Sequence, residues 1–355
     1  MHRVVDFGFY LCYLFYRGDN VTNQRNSGLD IIRTGAICAI MLIHMIGHTG
    51  VMTIDVRSVS WTCYVFLRYA VRVGVPLFLL LTGYLQSSRQ FNKKHYVSII
   101  PVLISYFVIS LINVTVEKFI IGNELDIYNT FVGIFDFEYG YAWYVEMYIG
   151  LFLIIPFLNI MYKFMDKKQK LWLIGILSFM TFIPATLEFL TVNGIGFEIL
   201  PDFFKNLYPV SFYFIGAYIA EYKPRPNRIF CVIVLFAVLI FETALCHYFS
   251  NTEYAWWLFN NEASLTHTVA AVCVFLIFYD ISAHSVISIP AKYIALCSFE
   301  MYLLSYITDL WCYTNLSIPV WQIMIIDFVV VFAGANVVRL FTTPVGKNIK
   351  RFIIK

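Results

Sequence analysis

Apolar residues fall along most of this chain in long unbroken runs, separated by short polar turns. Ten such runs stand out, at roughly 29–49, 62–86, 95–116, 142–162, 171–190, 204–221, 229–249, 264–281, 292–313 and 320–341. A helix needs about 20 apolar residues to cross a bilayer, whereas a membrane strand alternates and is about ten residues long. The pattern therefore predicts an all-α, polytopic integral membrane bundle of about ten transmembrane helices. An earlier apolar stretch, Val4 to Tyr16, is too short to span and is interrupted by Asp6. It lacks a small-residue cleavage site, so a cytoplasmic or interfacial segment over 1–28 is expected rather than a signal peptide. The expected organisation is that segment, one membrane domain over 29–341 and a basic tail over 342–355. The longest hydrophilic stretch is about 117–141, and no internal repeat is evident.

Charge sets the expected direction of the spans. With the N-terminus in the cytoplasm, nineteen of the 25 Lys and Arg residues fall on the cytoplasmic side. Three fall outside, at Arg57, Lys118 and Lys205, and three lie within spans, at Arg68, Arg72 and Arg339. That bias predicts both termini in the cytoplasm, and a multi-pass protein of the plasma (inner) membrane is expected. Composition agrees: 60% of residues are hydrophobic and 13% charged, with a mean hydropathy of +0.73. A net charge of +3 without a large basic cluster gives no reason to expect nucleic acid. The eight cysteines are scattered without a C-x-x-C pair, so neither a zinc site nor a disulfide framework is expected.

The informative positions are the ionisable ones inside the apolar runs, because each costs about 2.5–3.5 kcal/mol near the bilayer centre. In LDIIRTGAICAIMLIHMIG, Arg33 and His44 are eleven residues apart. They therefore share one helix face, with Cα atoms roughly 16 Å apart along the axis. Arg33 is expected near the cytoplasmic entrance and His44 beyond the midplane. In the next run Arg68 and Arg72 share a face and lie about 10–17 Å from the outer boundary, at the depth of His44. Pro76 and Gly83 are expected to interrupt the helix beside a cavity. Blander readings stay open: a hydrogen-bonded packing role for His44, snorkelling for Arg33, and pairing of Arg68 with Glu146. His48, at i+4 from His44, is expected at the outer boundary, and no metal site is expected. Glu242, Glu300 and Asp327 look deepest among the remaining acids.

Three stretches resemble the acyltransferase family 3 membrane proteins, which include O-antigen and other cell-surface acetyltransferases. They are LDIIRTGAICAIMLIH, with its Arg-x10-His pattern, RVGVPLFLLLTGYL, and AWYVEMYIGLFLIIPFLN. The likeness extends over about 27–341, and CSFEMYLLSYITD is similar to a later Tyr-Leu helix of the family. Many members have His where this chain has Ser305, a departure that resembles the membrane half of certain Gram-positive serine racemases. No soluble racemase domain accompanies it, so racemisation is not expected.

The resemblance implies acyl transfer across the membrane, from cytoplasmic acetyl-CoA (acyl-CoA) to a hydroxyl on a carbohydrate or envelope lipid, without a metal. His44 would serve as general base or transient acyl carrier. Arg68 and Arg72 would hold the oxyanion or an anionic donor group, and Arg33 would meet a CoA phosphate. Trp143 and Glu146 stand as candidate substrate-binding residues, and a homodimer is one assembly open to the chain. The rival expectation is a transporter or flippase for an envelope lipid-linked saccharide or small solute, which also needs polar groups at mid-depth.

Overall fold

A computed structural model describes residues 25–48, 54–192, 200–251 and 253–354. Most of the 1–28 segment lies outside the described residues. Every described element is helical. In chain order they are α1 (Ser27–Gly47), α2 (Val59–Val71), α3 (Gly74–Gln86), α4 (Lys93–Val97) and α5 (Ile100–Val116). Then follow α6 (Ile127–Phe135), α7 (Trp143–Lys163), α8 (Lys167–Val192), α9 (Tyr208–Tyr222) and α10 (Arg228–Phe249). The last four are α11 (Leu265–Phe278), α12 (Ser285–Leu296), α13 (Ser298–Asn315) and α14 (Val320–Ile354). A π-turn, Glu117–Ile121, closes α5, and a 3-10 turn, Asp202–Leu207, leads into α9.

The chain is a polytopic membrane bundle, and each of the ten apolar runs forms helix. Among the described residues seven helical segments are long and apolar enough to cross, or eight if α12 and α13 are one span bent by 68°. The runs at 204–221 and 264–281 fold as helices of 15 and 14 residues. Pro209 fixes the first turn of the former, and Ser264 and Tyr279 bound the latter. The final helix continues unbroken through the segment expected to be a tail.

The second span breaks at Arg72–Val73 rather than at Pro76 or Gly83. Pro76 occupies the first turn of α3, where a missing N–H costs nothing. Gly83 instead permits a close helix crossing. A Cβ there would overlap the carbonyl of Tyr213, and one on Gly216 would overlap the carbonyl of Leu80, so α3 and α9 pack backbone to backbone. Asn159 of α7 locks this pair: its amide donates to the carbonyls of Gln86 and Arg89 at 2.8 Å, and its oxygen accepts the Tyr213 hydroxyl at 2.6 Å.

The start of α1 is fixed with similar care. Asn26 caps it by accepting from the Gly28 amide at 2.9 Å and donates to the Tyr279 carbonyl beyond α11. Ser27 donates to the Ile281 carbonyl and accepts from the Ala283 amide. These ties sit at the Lys/Arg-rich end of the bundle and seat α1 in its middle, where Ile37, Leu79, Leu80, Phe212 and Phe275 form the core. Large apolar side chains such as Phe157, Trp172, Phe236 and Phe341 are left facing outward, as a lipid-facing surface requires.

Candidate active site

Arg33 opens into a cavity of about 500 Å³ walled by α1, α3, α5, α7, α12, α13 and α14. Its cationic side chains are Arg33, Arg339, Lys347 and Lys350, and its one carboxylate is Glu300. Arg339, Thr343, Lys347 and Lys350 recur at helical spacing and so form one stripe along α14. Arg89 and Lys94 add positive charge beside Lys350. Arg33 lies near Tyr144 and Tyr148 and makes no hydrogen bond or ion pair among the described residues. Glu300 accepts a hydrogen bond from Ser105 at 3.1 Å. At the deep end the lining turns apolar and aromatic: Ile40, Phe78, Leu81, Tyr144 and Tyr302.

His44 follows Ile40 by one helical turn, about 6 Å further along α1. It does not line the cavity. The ring of Tyr141 covers it, with centroids 3.8 Å apart and planes inclined at 39°. The Nδ1 atom of His44 is buried and has no hydrogen-bond partner among the described residues. His48, one turn further on, stacks on Tyr313 at 4.8 Å.

Tyr141 sits in the short turn between α6 and α7, where Phe137 and Gly140 adopt positive φ of 58° and 67°. Carboxylates from two neighbouring elements hold this turn. Glu117 accepts from the hydroxyls of Tyr139 at 2.5 Å and Tyr306 at 3.3 Å. Asp309 of α13 accepts from the Tyr141 hydroxyl at 3.1 Å. Burial pushes the phenols of Tyr139 and Tyr141 well above the usual range, and the neighbouring carboxylates push the same way, so both remain O–H donors. Asp309 and the adjacent Asp327 are 1% and 0% exposed.

Of the two inner arginines, Arg72 is within electrostatic reach of His44. Both bind the loop that joins α10 to α11. Arg68 donates to the Tyr254 hydroxyl at 3.0 Å, and to the Trp256 carbonyl and Asn260 Oδ1 at 2.8 Å. Arg72 donates to the Asn260 carbonyl at 2.5 Å and to Asn260 Oδ1, and pairs with Glu262 at 2.8 Å. Its Nε is buried and unpartnered among the described residues. Arg68 therefore has its partners in this loop and not in Glu146, which is exposed at the first turn of α7. Trp143 is likewise 40% exposed.

Arg72 also lines a second, polar cavity of about 380 Å³, together with Thr186, Glu188, Trp256, Asn260 and Glu262. Beneath this loop, His267 Nε2 lies 3.1 Å from Glu242 Oε1, both residues fully buried, and His267 Nδ1 lies 2.7 Å from Ser264 Oγ.

Arg33 and His44 thus share a face of α1, and Arg72 is within electrostatic reach of His44. Arg68 stands apart as an anchor of the loop, and Trp143 and Glu146 stand apart on α7. Tyr141 and Asp309 complete the surroundings of His44. Asp309 was visible in the sequence only as one intramembrane acid among several, and nothing local marked Tyr141.

A family model described as an acyltransferase domain matches residues 26–339. No curated protein and no solved structure matches the chain.

Proposed function

The chain belongs to the acyltransferase family 3 of membrane enzymes, and from that premise we propose that it moves an acyl group, acetyl by preference, from cytoplasmic acyl-CoA to a hydroxyl of an exported carbohydrate or envelope molecule. The protein is an acyltransferase by family; donor, acceptor, residue roles and residence in the plasma membrane are our reading.

One observation carries it: His44 lies one helical turn beyond Ile40 of the cationic cavity and within electrostatic reach of Arg72, which lines the polar one. Four cations facing one carboxylate suit a donor with several phosphates, since guanidinium and ammonium groups bind phosphate through charge-assisted hydrogen bonds. The apolar deep end suits a thin pantetheine arm carrying a thioester toward His44. Trp256, Asn260 and Glu262 offer the mix of aromatic face, amide and carboxylate that a saccharide hydroxyl acceptor needs.

In this reading the acceptor hydroxyl attacks the thioester carbonyl while His44 takes its proton. The tetrahedral intermediate then collapses: the carbon–sulfur bond breaks, and the proton passes to the departing CoA sulfur. Arg72 supplies positive charge near the developing oxyanion. The Tyr141 ring covers one face of the imidazole, so thioester and acceptor meet His44 at the ring edge.

The test is transfer of radiolabelled acetyl from acetyl-CoA to envelope material in membranes holding the wild-type protein or His44→Ala. Label that depends on His44, with acetyl-CoA binding retained by the variant, supports the reading. Equal labelling by the two proteins removes His44 from the chemistry. Solute movement with no covalent label would favour a transporter instead.

A further inference from the structure

An imidazole that removes a proton has to present one nitrogen in a fixed direction. Enzymes commonly fix it with a carboxylate or carbonyl on the other ring nitrogen. His44 has no such bond at Nδ1 among the described residues. What touches its ring is the face of Tyr141. Tyr141 in turn sits on a turn rather than a helix, so its own position depends on side-chain bonds.

We propose that Asp309 and Tyr141 form the unit that orients His44, which makes Asp309 a positioning residue for acyl transfer acting through an aromatic ring. The proposal rests on His44 being the base, as argued above.

The geometry supports each link. Asp309 belongs to α13, which packs along α14, and is 1% exposed, so its carboxyl is a fixed point. The Tyr141 hydroxyl donates to Asp309 Oδ2 at 3.1 Å, which sets the far end of the ring. Tyr306 packs edge-on against the same ring at 5.3 Å. The remaining freedom of the ring is rotation about its long axis, and the His44 imidazole occupies one face. The linkage spans α13, the α6–α7 turn and α1. A shift of Asp309 is therefore passed to the imidazole without any bond between the two. Glu117 holds the same turn through Tyr139, but it does not bond the ring stacked on His44.

The experiment compares Tyr141→Phe, which keeps the ring and loses the bond, with Asp309→Ala, Asp309→Asn and the double variant Tyr141→Phe/Asp309→Ala. Acetyl transfer is measured in membranes over a range of acetyl-CoA concentrations. Misplacing a reacting group by about 1 Å costs up to about a hundredfold. Each of Tyr141→Phe and Asp309→Ala is expected to lower kcat roughly tenfold or more, with KM for acetyl-CoA unchanged. The double variant is expected to be no worse than the poorer single one, because both remove the same bond. Asp309→Asn, whose amide oxygen still accepts, is expected to recover most of the rate. Wild-type kcat in Tyr141→Phe, fully additive losses, or a rise in KM alone would each overturn the proposal. His44→Ala, run in parallel, separates the two failures. An inactive His44→Ala beside normal Tyr141→Phe and Asp309→Ala sinks only the positioning role. An active His44→Ala sinks the reading of the site beneath it.

Discussion

Arg72 and Glu262 form an ion pair at 2.8 Å that ties the break in the second span to the loop between α10 and α11. The same guanidinium holds both oxygens of Asn260, so three acceptors converge on one planar fork. A lysine carries the charge but not the fork. Arg72→Lys is therefore expected to keep the protein inserted while lowering acetyl transfer, and Glu262→Gln to do less harm, since Asn260 still engages the fork. Rates of the two variants in membranes, side by side, check this; a Lys variant as active as wild type would contradict it.

Arg68 is a different case, buried at 7% exposure with three acceptors in the loop. Truncating it leaves the Tyr254 hydroxyl and the Trp256 carbonyl without this donor, while Asn260 keeps Arg72. Arg68→Ala is expected to cost about 2–4 kcal/mol of stability, seen as a lower Tm in detergent. Acetyl-CoA affinity should be unchanged, because Arg68 does not line the cavity of Arg33. Titration of acetyl-CoA into the variant below its Tm tests the separation.

Arg33 reaches the larger cavity without a partner of its own among the described residues. Its binding contribution should be that of a charge-assisted contact, about 1.5–3 kcal/mol. Arg33→Ala is expected to weaken acetyl-CoA binding about ten- to a hundredfold, with little change in Tm. Isothermal titration is the direct measure, and equal affinity in both proteins would exclude the role.

The stripe of Arg339, Lys347 and Lys350 predicts a donor-specific effect. Lys347→Ala/Lys350→Ala should raise KM for acetyl-CoA but leave KM for S-acetylpantetheine, which has no phosphate, near its starting value. Added salt should weaken wild-type acetyl-CoA binding in the same selective way, through screening. Equal changes for both donors would point to a general disturbance of the helix.

Gly140 has φ of 67°, and a Cβ there would lie 2.9 Å from the Tyr306 ring. Gly140→Ala meets both obstacles, at about 1–2 kcal/mol for the backbone alone. Since Tyr141 is the next residue, the change should lower transfer more than it lowers acetyl-CoA affinity, as paired rate and binding measurements would reveal.

What could be read from the chain was set by local chemistry. Each long apolar run became helix. Arg33 and His44 were legible together because one helix fixes their spacing. The partners of Arg68 were not legible, because Tyr254 lies 186 positions away and only tertiary packing brings it there. Tyr141 and Asp309 are separated by 168 positions for the same reason. Span length was less legible: the 204–221 run is mostly apolar, yet a 3-10 turn and Pro209 set the start of its helix at Tyr208, and that helix packs closely against α3.

The bend at Cys297 carries a consequence of its own. It ends one helix and begins another inside the bundle, and the first residues after it, Ser298, Phe299 and Glu300, belong to the cavity wall. No side chain caps the new start. Backbone amides left open at membrane depth are tolerated only where something polar satisfies them. Solvent entering the cavity of Arg33 would reach this bend, and the insulating part of the protein would then be thinner there than the surrounding bilayer.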